Sequence, residues 1–142
     1  MTVRAFTDGA SRGNPGHSGI GYIVYADNGT TILSGHAYIG SSTNNIAEYT
    51  ALIKCLRALV ALPKQPNSVA VHADSELMVR QLNGVYRVKD EGLKNLYREV
   101  KAILSTAPFT VSFTHVPRSQ NKEADLLANE AIDAGLSAPP LS

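Results

Sequence analysis

The N-terminal part of the chain carries the pattern of β-strands. Three segments are rich in β-branched and aromatic residues, and the tripeptide DNG at residues 27–29 lies between the second and the third as a strong hairpin signal. We therefore predict three antiparallel strands at residues 2–8, 19–26 and 31–39.

Further along the chain, the spacing of apolar residues changes to three and four. This periodicity predicts a helix that begins at Asn44 and ends before Pro63. Short apolar strands and further helices then alternate along the rest of the chain. The remaining predicted elements are a strand at residues 68–74, a helix at 75–84 that stops at Gly84, a helix at 92–105, a strand at 109–116 and a last helix capped by Asn121.

These elements indicate an α/β fold in which a five-stranded mixed sheet is flanked by helices. The first three strands form an antiparallel meander, and two parallel crossover strands extend it. With 142 residues, 44% of them hydrophobic, the chain fits a single domain that is large enough to bury its own core. We place this domain at residues 1–134 and expect residues 135–142 to form a flexible tail.

The composition excludes several classes of protein. The longest apolar runs fall far short of the roughly 20 residues that a membrane-spanning helix needs, and no apolar signal segment follows a positively charged start. We therefore expect a soluble, cytoplasmic, monomeric protein with no membrane partner. The single cysteine, Cys55, lies among leucines and is expected to be a small buried apolar group rather than a nucleophile.

Four carboxylates lie where a packed sheet would not favour them. Asp8 and Asp74 each close an apolar strand, whereas Glu48 and Asp125 each lie near the beginning of an apolar helix. Taken singly, each acid has an ordinary explanation as a turn former, a helix cap or a solvated helix residue. If the strand before Asp74 lies beside the first strand, however, it should run parallel to it, and Asp8 and Asp74 are then expected to meet at one edge of the sheet.

An acidic cluster of this kind needs a cation. Two unit charges about 4 Å apart repel each other by roughly 4 kcal/mol at an effective dielectric constant near 20. A divalent cation removes this repulsion, and oxygen ligands favour Mg²⁺ or Mn²⁺ over zinc. Several carboxylates around metal ions are the usual arrangement for two-metal phosphoryl transfer, so the four acids point to chemistry on phosphodiesters.

Four blocks of sequence place these acids in a familiar context. They are TDGASRGNPG, STNNIAEYTAL, ADSELMV and THVPRSQNKEADLLAN, and they occur in this order with compatible spacing. Together they resemble the type 1 ribonuclease H family over nearly the whole chain. The resemblance implies a ribonuclease H-like fold and endonucleolytic hydrolysis of the RNA strand of an RNA-DNA hybrid, which leaves 5′-phosphate and 3′-hydroxyl ends.

The resemblance also implies roles for individual residues. Asp8, Glu48, Asp74 and Asp125 match the family's catalytic, metal-binding acids, which hold two Mg²⁺ ions with substrate bound and for which Mn²⁺ is a possible substitute. His115 matches the family histidine on a mobile loop that assists proton movement or product departure, whereas by itself it would be a surface histidine at a strand end. The residues implied to bind the hybrid are Gly9, Ser11, Gly13, Asn14, Thr43, Asn44, Asn45 and Glu76.

Two departures from the family pattern concern substrate binding. Glu76 stands where many members carry glutamine, so a hydrogen bond in the minor groove is altered or lost unless Glu76 faces solvent. The chain contains no tryptophan and lacks the basic, tryptophan-rich protrusion of some members. Basic residues outnumber acidic ones between Arg80 and Lys101, which suits either a DNA backbone or a solvated helix face.

The charge balance favours nucleic-acid binding only once the site acids are set aside. The formal net charge is +1, but without the four acids eight acidic residues stand against thirteen basic ones. Two functional alternatives stay open at this point. One is a hybrid-binding module that does not cleave, and the other is a related nuclease that acts on double-stranded RNA or on DNA.

Overall fold

A five-stranded sheet forms the centre of the fold. The structure is a computed structural model that describes residues 1–137. The strands are β1 (Thr2–Gly13), β2 (Gly16–Tyr25), β3 (Thr31–Ser42), β4 (Ser68–Ala73) and β5 (Thr110–His115). Their order is β3-β2-β1-β4-β5, with antiparallel pairing among β1, β2 and β3 and parallel pairing of β4 with β1 and β5. The predicted α/β architecture is confirmed.

Four helices among the described residues cover this sheet. They are α1 (Asn44–Val60), α2 (Glu76–Leu82), α3 (Glu91–Thr106) and α4 (Lys122–Ser137), with a 3₁₀ turn at Arg118–Gln120 before α4. The first three helices are capped by Thr43, Ser75 and Asp90, whose side chains each accept a hydrogen bond from the backbone NH three residues on. None of the helices within residues 1–137 is long and apolar enough to cross a bilayer.

The two faces of the sheet are packed in different ways. Between the sheet and the helices α1 and α3, large apolar side chains such as Leu52 and Leu56 are fully buried. On the other face, α4 lies against glycines of β2. A Cβ atom added to Gly19 or to Gly21 would lie 2.4 Å from a backbone oxygen of α4. The missing side chains let α4 approach the sheet closely, which brings its first turn towards Asp8.

The strand β1 is longer than predicted, so Asp8 does not lie at its end. Pairing with β2 continues past Asp8, which lies opposite Gly21, as far as Gly13 opposite Gly16. The parallel pairing with β4, in contrast, ends at Thr7 opposite Ala73. Asp8 thus closes the paired segment of β1 and β4 but lies in the middle of the hairpin, because glycine and serine residues extend the ladder without any apolar alternation.

The end of α4 also differs from the prediction. We expected a flexible tail from residue 135, yet α4 continues through Ser137. Gly135 lies directly against the ring of Tyr38 in β3, where an added Cβ would meet the ring at 2.2 Å. This contact places the last turn of α4 against β3. Residues 138–142 of the predicted tail lie outside the described residues.

Asn121 lies directly before the last helix, as predicted, and its backbone oxygen accepts from the NH of Asp125 at 3.1 Å, but its side chain does not cap the helix. Its side-chain Nδ2 donates to the backbone oxygen of Thr7 at 2.9 Å, and its Oδ1 has no hydrogen-bond partner within residues 1–137. Asn121 is almost completely buried. Its side chain therefore ties the beginning of α4 to β1, directly beside Asp8, instead of satisfying the free NH groups of the helix.

Candidate metal centre and active-site pocket

Three carboxylates from distant parts of the chain meet at one edge of the sheet. Asp8 comes from β1, Glu48 from the first turns of α1 and Asp74 from the residue after β4. One oxygen atom of each carboxylate lies within 4.8 Å of the others. The convergence follows from the parallel pairing of β1 with β4, which brings the ends of their paired segments to the same edge.

Gly9 allows Glu48 to reach this point. A Cβ atom at Gly9 would lie 2.2 Å from the backbone carbon of Ala47, so any larger residue would push α1 away from the sheet. The NH of Gly9 donates to Oε1 of Glu48 at 2.6 Å. Glu48 is only 2% exposed, and its Oε2 is buried without a hydrogen-bond partner among the described residues. A buried, unpartnered carboxylate oxygen beside two other acids is well suited to bind a cation.

The proton affinity of the acids reflects their burial and their proximity. Burial, followed by the charge of Glu48 and smaller contributions from Asp74 and Asp125, raises the pKa of Asp8 to about 11. Burial likewise raises the pKa of Glu48 to about 7, although the neighbouring carboxyl group of Asp8 and the hydrogen bond from the NH of Gly9 oppose this change. At neutral pH the cluster therefore needs nearby positive charge to be fully ionised.

Asp125 joins the same pocket from the first turn of α4. It is not part of the close set of three acids, but it lies near enough to Asp8 to contribute to the raised pKa of that residue. The pocket has a volume of about 270 Å³ and a strongly polar lining. Besides the four acids, its walls include Gly9, Ser11, Asn44, Arg118 and Asn129.

Known proteins share this sequence over most of its length. Residues 6–131 match the family model described as Reverse transcriptase-like. The chain is 40% identical to Ribonuclease HI of Halobacterium salinarum over 131 residues, which cover 92% of this chain and 64% of that protein. It is 42% identical to the Bifunctional protein Rv2228c of Mycobacterium tuberculosis over 135 residues, which cover 94% of this chain and 36% of that protein.

A solved structure agrees with both relatives. The crystal structure of LC11-RNase H1 in complex with RNA/DNA hybrid matches with a TM-score of 0.89 and 43% sequence identity, covering 95% of this chain and 99% of that chain. This chain belongs to the type 1 ribonuclease H family. It spans less than two thirds of the length of the two curated relatives named above.

Among the residues predicted from the ribonuclease H resemblance, the structure brings seven to the pocket. Asp8, Glu48, Asp74, Asp125, Gly9, Ser11 and Asn44 all line it. Asn14 lies nearby, and its Oδ1 accepts a hydrogen bond from the backbone NH of Asn44 at 3.1 Å. The Oγ of Ser11 donates to the backbone oxygen of Gly13 at 2.6 Å. The first bond holds the β1–β2 hairpin against the beginning of α1, whereas the second lies within β1.

Other predicted residues lie outside the pocket lining. His115 is exposed and is the last residue of β5, opposite Ala73, so it belongs to the strand and not to the loop that follows. The side chain of Glu76 is 54% exposed and pairs with Arg80 at 2.8 Å, which favours the solvent-facing interpretation of this residue. Thr43 caps α1, and the lining does not include Asn45.

Four residues of the pocket lining were not predicted as site residues from the sequence, namely Ala10, Ser75, Arg118 and Asn129, and the last two contact the acids. Arg118 places its Nε 4.0 Å from Oδ2 of Asp74, although its side chain is 89% exposed. Asn129 donates from Nδ2 to Oδ1 of Asp125 at 3.2 Å. Because β5 runs parallel to β4, the residues that follow β5 lie near those that follow β4. The predicted parallel strands could therefore have indicated that Arg118 lies near Asp74.

Proposed function

We propose that this protein is an endoribonuclease that hydrolyses the RNA strand of RNA-DNA hybrids. The observation that carries the proposal is the meeting of Asp8, Glu48 and Asp74, whose oxygens lie within 4.8 Å of one another in a polar pocket. Membership of the type 1 ribonuclease H family and the similarity to LC11-RNase H1, which was solved with a hybrid, support this substrate. The expected products carry 5′-phosphate and 3′-hydroxyl ends.

The acids would hold the divalent ions. Asp8, Glu48, Asp74 and Asp125 present carboxylate oxygens only, a donor set that suits Mg²⁺, with Mn²⁺ as a substitute. Two such ions, when bound with substrate, would neutralise the charge that develops during in-line displacement at phosphorus. The chain's own contribution is to fix these oxygens, and Gly9 does so for Glu48 through its NH.

The hybrid would lie across the hairpin and the beginning of α1. Ser11 and Asn44 line the pocket, and Asn14 connects the two segments, so these residues form one continuous edge beside the acids. Polar side chains and backbone NH groups at this edge can bind the 2′-hydroxyl groups that distinguish RNA from DNA. Gly13, Thr43 and Asn45 flank this edge, whereas Glu76 is kept only as a peripheral candidate contact.

His115 ends β5, and Arg118 lies in the connection between β5 and α4. Arg118 lies beside Asp74, where its charge lowers the pKa of Glu48 and can attract a phosphate. His115 is retained as a candidate for proton movement or product departure, since it is exposed at the end of β5. A cytoplasmic location and a monomeric state stay predictions of the sequence.

A cleavage assay on matched duplexes tests the proposal. An RNA-DNA hybrid, an RNA duplex and a DNA duplex of one sequence are each incubated with Mg²⁺, with Mn²⁺ or with a chelator. We expect the hybrid to be cut fastest, only in the RNA strand, and not at all with the chelator. Binding of the hybrid without cutting would favour the non-cleaving module, and preferential cutting of the RNA duplex would favour the alternative nuclease.

A further inference from the structure

Asp125 is held differently from the other three acids. Asp8, Glu48 and Asp74 form the close set of oxygens, and Asp125 stands apart from it on the first turn of α4. Asp125 is exposed, so the surrounding core does not fix the direction of its carboxylate. A metal ligand in such a position depends on a hydrogen-bond partner for its orientation.

Asn129 supplies this partner from the next turn of α4. Its Nδ2 donates to Oδ1 of Asp125 at 3.2 Å and to the backbone oxygen of the same residue at 3.0 Å. Asn129 lines the same pocket as Asp125. Because the amide binds Oδ1, the other carboxylate oxygen is the one left for a cation.

Arg12 determines which end of the Asn129 amide faces Asp125. Its Nη2 donates to Oδ1 of Asn129 at 3.3 Å, and its Nη1 donates to Asp133 at 2.7 Å. A guanidinium group has only donors, so it selects the orientation in which Oδ1 faces Arg12 and Nδ2 faces Asp125. The reversed amide would set an oxygen against the carboxylate of Asp125.

We propose that Asn129, oriented by Arg12, is a positioning residue that directs Asp125 towards the metal ions. The proposal rests on the proposed two-metal function. Arg12 lies in β1 between Ser11 and Gly13, which are predicted to bind the hybrid. The hairpin that would receive the substrate is therefore joined through two side chains to the acid that is not held by the core.

Titration of Mn²⁺ into the full chain, followed by calorimetry, tests this role without relying on cleavage. Asn129→Ala is expected to weaken Mn²⁺ binding, and to raise the Mn²⁺ concentration for half-maximal cleavage, by about tenfold, as is typical for partners of metal ligands. Arg12→Ala should have a smaller effect in the same direction. The KM for the hybrid should change little in Asn129→Ala, while kcat at limiting Mn²⁺ falls.

The double variant Arg12→Ala with Asn129→Ala tests whether the two residues act in sequence. If Arg12 works only by orienting Asn129, the double variant should bind Mn²⁺ as Asn129→Ala does, because the effects of coupled residues are not additive. Arg57→Ala is the matched control. It breaks an exposed pair with Glu99 between α1 and α3, outside the pocket lining, and should leave Mn²⁺ binding unchanged.

Unchanged Mn²⁺ binding and unchanged metal dependence in Asn129→Ala would overturn the proposal. So would a rise in KM with a weaker salt dependence at unaltered Mn²⁺ affinity, because that result would identify the pair as contacts to phosphate. If the wild-type chain cuts no hybrid, the proposed function fails, but the Mn²⁺ titrations still decide whether Asn129 and Arg12 position Asp125.

Discussion

The apolar layer under α1 and α3 and the acidic pocket at the edge of β4 both bury side chains, with opposite consequences. In the apolar layer, residues such as Leu56 and Val100 stabilise the fold by leaving water. In the pocket, Asp8 and Glu48 are also buried, but their ionised forms lose hydration and repel each other. Stability and the candidate chemistry are thus assigned to different regions, and the pocket depends on a cation for its charged state.

The largest expected effect is the loss of turnover on changing a pocket acid. Asp74→Asn keeps the size of the side chain but removes a charge from the close set of acids. We expect kcat on the hybrid to fall by on the order of a thousandfold, as for loss of a central catalytic group, with an unchanged circular dichroism spectrum. Asp27→Asn, in the exposed β2–β3 turn, is the control. An Asp74→Asn variant that retains nearly full activity would remove Asp74 from the metal site.

A change in the apolar layer should lower the stability of the fold and leave turnover unchanged. Leu56 is completely buried, so Leu56→Ala is expected to lower the free energy of unfolding by about 3 kcal/mol. At a temperature where the variant is folded, its kcat should match that of the wild type. Urea denaturation measures the first effect and the cleavage assay the second. Val60→Ala, at an exposed position of the same helix, should change the stability by less than about 0.5 kcal/mol.

The pH dependence of stability should reveal the cost of the buried acids. The pKa values of Asp8 and Glu48 are raised in the folded state, so folding takes up protons. Protonation of these two acids therefore stabilises the folded state at low pH. With a chelator, stability should fall as pH rises above about 4, by up to about 1.4 kcal/mol per pH unit for each proton involved; the contribution of Glu48 is lost by about pH 7, and that of Asp8 continues to fall above it. Urea titrations across this range measure the slope.

Two changes should reduce this slope. Asp8→Asn removes one of the two titrating groups, and saturating Mg²⁺ stabilises both carboxylates in their ionised forms. We expect the variant to be more stable than the wild type at pH 7 in chelator, and less responsive to added Mg²⁺. Equal slopes for the two proteins would show that the acids are not buried together as the structure indicates.

The smallest effect is expected at His115, which lies outside the pocket lining. If it assists proton movement from the end of β5, His115→Ala should lower kcat by about tenfold, below the range usual for a general acid or base. His36→Ala, on an exposed position of β3, is the control. An unchanged kcat across the pH range would leave His115 as a surface residue without a catalytic role.

Local sequence was sufficient for most elements of the fold and for the identity of the acids. The helix from Asn44 and the short strand before Asp74 follow from apolar spacing, and both are present. The four-block pattern around Asp8, Glu48, Asp74 and Asp125 indicates one site from the sequence alone. Periodicity and motif order carry this information because they depend on residues that are close together in the chain.

The misjudged features all depend on partners far away in the sequence. The bond from Asn121 to Thr7 spans 114 residues, and the contact of Gly135 with Tyr38 joins α4 to β3. The pairing of β1 beyond Asp8 depends on β2, not on apolar alternation within β1 itself.

The amino-acid sequence by itself determined the α/β class, the order of the elements and the four acids. Only the tertiary structure decided that three of them share one set of close oxygens, that Arg118 lies beside Asp74, and that Asn129 is hydrogen-bonded to both Arg12 and Asp125. The physical reason is how far apart in the chain the interacting residues lie. Helix and strand patterns arise from neighbours in the chain, whereas distances between carboxylates, their burial and their pKa values arise from parallel strands and packed helices that bring remote residues together.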